Sequence, residues 1–467
     1  MIGGRSLRPP DVAAKAMSQP RDTIAAVATP AGAGGIGVVR LSGPDSLAIA
    51  ERFLGKAPRP RFAHRALFRD AAGEAIDDGL LIAFPAPHSY TGEDVVELQA
   101  HGSPQALARL LARCLELGAR VARPGEYSER AYLEGKLDLA QAEAVADLIA
   151  AGSEAAARAA RRSLDGEFSR AVEALAEQMI ELRVWVEAAI DFPEEEIDFL
   201  ASEELAQRFA AARSTLDSLR AAAQRGRVLT DGLHVVILGE PNVGKSSLLN
   251  ALAGHERAIV TPIAGTTRDT LNERIEVDGL PLTLVDTAGL RETGDVVERE
   301  GVARAGREAE RADLVLWVVD SSMSDTVLAD PLATLPALAG IPRLVVHNKL
   351  DLSGGEPRSE GRSDGTHVHL SARTGAGLDQ LRQALRAAAG LSEGSEGSFS
   401  ARQRHLDALA RAATHLESAR SEALDHGRGE LAAEDLRRAH DALGEITGRM
   451  QPDELLGEIF GRFCIGK

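Results

Sequence analysis

Nine residues just past the midpoint, GEPNVGKSS from Gly239 to Ser247, constrain this chain more than any other stretch. They follow the apolar run LHVVIL and open the helix-like KSSLLNALAG, so a buried strand must turn sharply into a helix N-terminus. Glycines at 239 and 244 let the turn curl until its N–H groups face an anion. Lys245 then reaches the outer phosphates of a nucleotide and Ser246 offers a hydroxyl to Mg²⁺. The context predicts a nucleotide-binding α/β domain, and the sequence on both sides has to accommodate it.

The flanks are of another kind. From Leu137 to about Arg225 the chain is rich in Ala, Leu, Glu and Arg at helical spacing, as in AEAVADLIAA and VEALAEQMIELRVWVEAAI. Helical composition returns at RQRHLDALARAATHLESAR, after the linker GLSEGSEGSFS. Between the two, short apolar runs (VVILG, LPLTLVDTAG, ADLVLWVVD, IPRLVVHNKLD, THVHLSA) alternate with helical stretches, the pattern of a mostly parallel sheet. An α/β domain is therefore inserted into a helical one. Ahead of both, TIAAVATPAGAGGIGVVRLSG and LLIAFPAPHSYTGEDVVELQAHG read as strands, and PQALARLLARCLELG as an amphipathic helix, giving a compact α+β domain. The expected divisions are a flexible tail over 1–21, domains over 22–136, 137–230 and 231–390, and a second helical part over 391–467.

A chain of 467 residues is too long for one core, and 44% apolar with 26% charged residues is ordinary for a folded soluble protein. Seventy acids against 53 bases, a net charge of −17, argue against a general cationic coat for nucleic acid, so any RNA contact is local. The two cysteines, Cys114 and Cys464, lack metal-ligand or CxxC spacing and fit a reducing compartment. Cys114 sits inside an amphipathic helix and reads as a small buried hydrophobe. No apolar run is long enough to span a membrane, which points to the cytoplasm. The weakly basic MIGGRSLRPPDVAAKAM reads as a tail, or as an upstream start with Met17 as the alternative, and less well as an organelle transit segment.

Further motifs follow the phosphate loop in order. Thr266 and Thr267 of GTTRD would bring a hydroxyl to the metal, and Asp286 of DTAG ends a strand where it can hold the ion through water. Asp278–Gly279, between the two, predicts a tight hairpin. In NKLD, the Asp351 carboxylate can accept both N–H donors of a guanine edge, a pattern adenine lacks; Asn348 braces the base and its loop, Lys349 lies over the ring, and SAR (Ser371 to Arg373) presents backbone N–H. The GTP-binding set is then Asn242, Val243, Gly244, Lys245, Ser246 and Ser247; Thr261, Pro262, Ile263, Ala264, Gly265, Thr266 and Thr267; Asp286, Thr287, Ala288 and Gly289; and Asn348, Lys349, Asp351, Ser371, Ala372 and Arg373, with Mg²⁺ on Ser246 and Thr267. The set defines a Ras-like P-loop GTPase domain, and it resembles the translation-factor-like GTPases. Leu290 after DTAG cannot orient a water, so another group must, and RETGDVVEREG supplies carboxylates. Asn242 is placed to coordinate a monovalent cation beside the phosphates, where K⁺ would replace an arginine finger.

GVVRLSG, TGEDVVELQAHG, RPGEYSERAYLEGKLDLAQAEA, EAAIDFPEEEIDFL, SARTG and the terminal FCIGK, added to these motifs, make nearly the whole chain from about Asp22 resemble the MnmE (TrmE) family of tRNA-modification GTPases. The resemblance implies a multidomain fold with an N-terminal α+β tetrahydrofolate-binding-like domain that also dimerises, an α-helical domain, and the inserted GTPase. It implies modification of the tRNA wobble uridine at carbon 5. This is done in a heterotetramer with the FAD-containing flavoprotein MnmG, from a 5-formyl- or 5,10-methylene-type tetrahydrofolate. It implies a homodimer whose GTPase domains pair under K⁺, with Asn242, Thr261, Ile263 and Thr266 as K⁺ ligands and Glu298 orienting water. The folate site maps to Arg40, Glu97, Lys136 and terminal Lys467, and the returning tail makes Cys464 a candidate catalyst. Judged from the residues without it, Arg40 and Lys136 are surface charges, Glu97 is a solvated strand residue, and FCI is a docking tail with an inert thiol. The alternative function is a GTP-switched ribosome-assembly or RNA-binding module without modification chemistry.

Overall fold

Residues 22–191, 202–240, 242–254, 272–286, 312–322, 340–391, 399–449, 453–461, 463 and 466 are described by the computed structural model. They fall into two compact units, Met1–Ala146 with Arg437–Lys467, and Asp147–Leu436.

The first unit is built on a six-stranded sheet, β1 (Ile24–Val27), β2 (Gly34–Ser42), β3 (His64–Arg69), β4 (Ala75–Phe84), β5 (Val95–Gly102) and β6 (Arg120–Val121), in the order β3-β4-β5-β2-β1-β6. Strand alternation sends Val39, Leu41, Leu81, Val96 and Leu98 to one face, where helices α1 (Ser46–Leu54) and α2 (Pro104–Glu116) cover them. Cys114 is buried in that core with its thiol pushed up to about 12 by burial, an inert hydrophobe as expected. The opposite face carries one cross-strand row, Ala26, Arg40, Glu97 and Ile82. Beside it, helix α3 (Glu126–Leu133) buries Tyr127 against Ile24 and Ala26.

The end of the chain belongs to this unit. Helix α13 (Asp453–Gly461) packs Ile459 and Phe460, with Phe463, against Tyr132 and Leu139. Gly125, at φ 67, lets α3 start against the Phe460 carbonyl, since a Cβ there would lie 2.4 Å from that oxygen. Gly466 is buried at φ 97, and a Cβ on it would meet the Val27 carbonyl at 2.3 Å. The tail thus returns to β1, the strand next to Arg40's.

In the second unit, helices α5 (Glu154–Leu164), α6 (Glu167–Asp191), α7 (Glu203–Asp231) and α11 (Gln403–Arg420) pack together, with Ser153 and Ser202 capping α5 and α7. The inserted domain is a seven-stranded sheet of β7 (Leu233–Leu238), β8 (Asn272–Val277), β9 (Leu280–Asp286), β10 (Leu314–Asp320), β11 (Arg343–Asn348), β12 (Arg358–Arg362) and β13 (Gly365–His369), ordered β12-β13-β11-β10-β7-β9-β8. The five inner strands are parallel and both edges antiparallel, which matches the apolar runs read from the sequence. Asp278 and Gly279 both take positive φ, 47° and 81°, as the predicted hairpin requires. The edge strand β12 was not anticipated: RSEGR has no apolar pattern and is held by backbone pairing to β13.

Entry and exit of the inserted domain are clamped together. The returning chain crosses α7 at Gly226, where a Cβ would lie 1.9 Å from the Phe399 carbonyl, and Phe399 stacks on Phe168 at 4.5 Å. Ser400 then exchanges bonds with α5, its N–H to the Ala159 carbonyl at 3.1 Å and its carbonyl taking the Ser163 hydroxyl at 3.0 Å. At the residue after Gly226, buried Arg227 pairs with Asp313, which also accepts the His234 N–H at 3.1 Å and so joins α7 to the starts of β7 and β10. Because no flexible atom yields at Gly226, Gly226→Ala is expected to cost about 1 to 3 kcal/mol, read as a lower denaturant midpoint of the full-length protein.

Candidate functional site

All the described groups of the candidate nucleotide site sit at the carboxyl ends of parallel strands, where an α/β sheet opens a crevice. The loop after β7 leads into α8 (Lys245–Ala253) through Asn242 at φ 64 and Gly244 at φ 97. Gly244 is doubly required: its φ disfavours a side chain, and a Cβ would lie 2.3 Å from the Asn348 amide nitrogen. Lys245 donates its ammonium to the Gly239 and Glu240 carbonyls, both at 2.9 Å, so it is held across the loop. Ser246 and Ser247 are exposed in the first helical turn, and a hydroxyl there is a hard oxygen ligand suited to Mg²⁺. Asn242 is exposed on the loop, while Val243 is buried in the sheet core.

Asn348 joins the two halves of the site. Its buried amide donates to the Val243 carbonyl at 2.9 Å and accepts the Ala372 N–H at 2.9 Å, tying the phosphate loop to the SAR turn. The Ala372 N–H is thus directed at Asn348, one step from its expected role at a base. Asp351 accepts the Ser371 hydroxyl at 2.6 Å, with Arg373 3.8 Å away. Lys349, at φ 67, is anchored by its ammonium to Asp320 at 2.8 Å. Burial would raise the Asp320 carboxyl, but that bond and two from Ser322 hold it below the ordinary range. The sequence reading missed Asp320, although a carboxylate ending the apolar run LVLWVVD repeats the position of Asp286. Asp286 ends β9 beside Ile237. Thr261 to Thr267, Thr287 to Gly289, Glu298, Cys464 and Lys467 lie outside the described residues.

A second group went unread. His347, just before Asn348, meets His367 at 2.9 Å, and His367 meets Asp364 at 3.0 Å; His369 stacks on His347 at 4.2 Å and 6°. All three imidazoles are buried. Burial, followed by nearby Arg358, pushes His369 below the ordinary histidine value.

In the first unit, Arg40 and Glu97 come together as a cross-strand pair. Arg40 donates from Nε and Nη2 to Glu97 Oε1 at 3.0 and 2.8 Å, and its guanidinium lies 5.7 and 5.8 Å from the Tyr90 and Tyr127 ring centres. Neither residue is the isolated surface charge that residue type suggests. Tyr127 also donates its hydroxyl to the Arg40 carbonyl at 2.6 Å. The RPGEYSER stretch supports this corner: Glu126 accepts Arg120 and the Arg123 N–H, and buried Arg130 bonds Glu93 at 2.8 Å. Burial opposes charge on Glu126, yet Arg120 holds its carboxyl low. Exposed Lys136 donates to the Pro87 carbonyl at 2.9 Å. The corner brings a carboxylate, a guanidinium and the half-buried Tyr90 ring together, groups suited to a flat polar ligand, with Tyr127 fully buried behind them.

Strand order, phosphate loop and the NKLD and SAR loops define a P-loop GTP-binding domain carried by a helical protein. Family models agree: "MnmE helical domain" matches residues 139–464 and "GTP-binding protein TrmE N-terminus" matches 23–136. The chain is 56% identical over 452 residues to a protein named tRNA modification GTPase MnmE from Chromohalobacter salexigens, covering 96% of this chain and 98% of that one. A Xanthomonas campestris protein of the same name is 56% identical over 97% of this chain and all of its own. The chain belongs to the MnmE family of tRNA-modification GTPases, and it is a GTPase. Similar solved structures include the FeoB G-domain of Methanococcus jannaschii (28% identity, 34% of this chain, 98% of that one, TM-score 0.25). Era of Aquifex aeolicus bound to GDP and AlF4⁻ is another (27%, 39%, 66%, TM-score 0.25). Those scores are too low to bear on the fold, which rests on the strand order itself.

His369 yields a pH dependence. Its folded value lies below the unfolded one, so the unfolded chain binds the extra proton. Its contribution is intact above about pH 6.5 and is lost as pH falls below it. The thermal midpoint should therefore drop between about pH 7 and 5, and drop less in His369→Gln, as followed by calorimetry.

Proposed function

We propose that this protein is a K⁺-stimulated GTPase that, with the FAD-containing protein MnmG, modifies carbon 5 of the tRNA wobble uridine using a tetrahydrofolate one-carbon unit. GTP hydrolysis in paired GTPase domains of a homodimer would drive the conformational change, and the modification would add an aminomethyl or carboxymethylaminomethyl group. Mg²⁺ would be held by Ser246 and Thr267, and K⁺ by Asn242, Thr261, Ile263 and Thr266, with Glu298 orienting the attacking water. Tetrahydrofolate would be held by Arg40, Glu97, Lys136 and Lys467, and it would supply the one-carbon unit.

The observation that carries this reading is the tail. Gly466 rests on the Val27 carbonyl, and Val27 adjoins Ala26, the cross-strand partner of Arg40. Cys464 stands two residues earlier in the chain, between Phe463, which packs with Tyr132 and Leu139, and Gly466, which meets β1, so the candidate catalyst belongs to the same unit as Arg40 and Glu97. A thiolate there can attack the uracil ring or move a proton. At the other site, Asp351 selects guanine because its carboxylate accepts two donors of the base edge.

The deciding experiment replaces Cys464 by Ser in cells lacking the wild-type protein, with wobble nucleosides of bulk tRNA measured by mass spectrometry. The modified uridine should disappear, while the purified variant hydrolyses GTP at the wild-type rate in K⁺ and slowly in Na⁺. Full modification in the variant would make the tail a packing element, and no modification even with wild type would favour the switched binding module.

Base selection has its own test. Asp351→Asn should raise the KM for GTP by about a hundredfold or more, and it should confer hydrolysis of xanthosine triphosphate, whose 2-oxo group accepts from an amide.

A further inference from the structure

In a chain with more acids than bases, residues 55–69, GKAPRPRFAHRALFR, hold five cations, Lys56, Arg59, Arg61, Arg65 and Arg69, and no carboxylate. Most of this stretch is exposed, and Phe62 keeps 46% of its surface accessible. The Arg59 guanidinium lies 4.8 Å from the Phe62 ring centre, forming a stacked pair at the surface. Among the described residues no carboxylate pairs with Lys56 or Arg59, while Arg65 has only the exposed Asp78 at 3.5 Å.

The loop is held in one conformation. Phe62 N–H closes a turn on the Arg59 carbonyl at 3.3 Å, with Pro60 and Arg61 at its centre. Buried His64 accepts the Arg59 N–H at 2.9 Å and meets the Phe62 ring edge-on. Arg61 stands at φ 57, where glycine is favoured. Its N–H bonds the Ala83 carbonyl at 2.8 Å, and its guanidinium bonds the His88 carbonyl and lies 5.7 Å from the Phe84 ring centre. Pro87, next to His88, accepts Lys136. Ala83 and Phe84 follow Ile82, which shares a cross-strand row with Glu97 and Arg40. The basic turn and the Arg40 corner are thus linked by one strand and one short loop.

We infer that Lys56, Arg59 and Phe62 form an RNA-docking surface that takes the phosphates and one unpaired base of the tRNA anticodon loop. It would present the wobble uridine to the Arg40 and Glu97 corner. The inference rests on the tRNA-modifying function proposed above. A guanidinium and an aromatic ring stacked at a surface continue naturally into a nucleobase, and unpaired loops are the part of an RNA whose bases are free to stack. The cations supply phosphate contacts without making the protein generally cationic.

The test is fluorescence anisotropy of the full-length protein with a labelled anticodon stem-loop carrying a wobble uridine, between about 50 and 200 mM salt. Phe62→Ala should weaken binding by about five- to a hundredfold, and Phe62→Trp should restore it, which a purely structural role would not predict. Arg59→Ala and Lys56→Ala should each lower the salt slope by about one. GTP hydrolysis, oligomeric state and thermal midpoint should match wild type in every variant. Unchanged RNA affinity in Phe62→Ala overturns the surface, and so does a loss of oligomer instead, which would make the patch a protein interface. Cells complemented with each variant separate the two readings. If wild type restores wobble modification and Phe62→Ala does so equally well, the docking surface falls alone; if wild type restores none, the tRNA reading falls with it.

Discussion

One side-chain amide holds the nucleotide site together. Asn348, buried at the end of β11, uses its nitrogen on the phosphate loop and its oxygen on the SAR turn, two segments more than a hundred residues apart in the chain. A buried amide with one end unpaired would carry a desolvation cost comparable to a lost hydrogen bond, so the two loops are bound to a common position. Gly244 is the other side of that arrangement, because only a residue without Cβ lets Asn348 come so close. Lys349 and Asp351 inherit their placement from it, with Asp320 and Ser371 holding their charged ends.

The first unit solves a similar problem with charge. Arg40 and Glu97 face each other across β2 and β5, half-buried, where a lone charge would be costly and a pair is tolerated. Tyr90 and Tyr127 shield the guanidinium on one side, and the Arg120, Glu126, Arg130 and Glu93 network fixes the helix that carries Tyr127. The pair holds a carboxylate and a guanidinium against each other, and ligand recognition then requires little side-chain ordering. Gly466, near the end of the chain, packs against β1, the strand next to the one that carries Arg40.

Legibility in the sequence followed the kind of force involved. Buried parallel strands, the hairpin at Asp278–Gly279, the amphipathic helix holding Cys114 and the phosphate loop were all readable, because apolar period and glycine conformation are local properties. β12 was not, since RSEGR is an edge strand whose stability comes from backbone bonds to β13 and whose side chains are free to be charged. Asp320 and the three histidines were missed for a related reason: each is ordinary in its own strand and acquires meaning only from its neighbour in the sheet.

By itself the sequence determined a helical protein with an inserted P-loop GTPase domain, an α+β domain before it and membership of the tRNA-modification GTPases, because motif order and periodicity are written along the chain. Only the tertiary structure decided that Arg40 pairs with Glu97, that Asn348 bridges two loops, and that Gly466 lies against β1. Each of these contacts joins residues far apart in sequence, and strand register and close backbone approach are settled by packing, which no local pattern records.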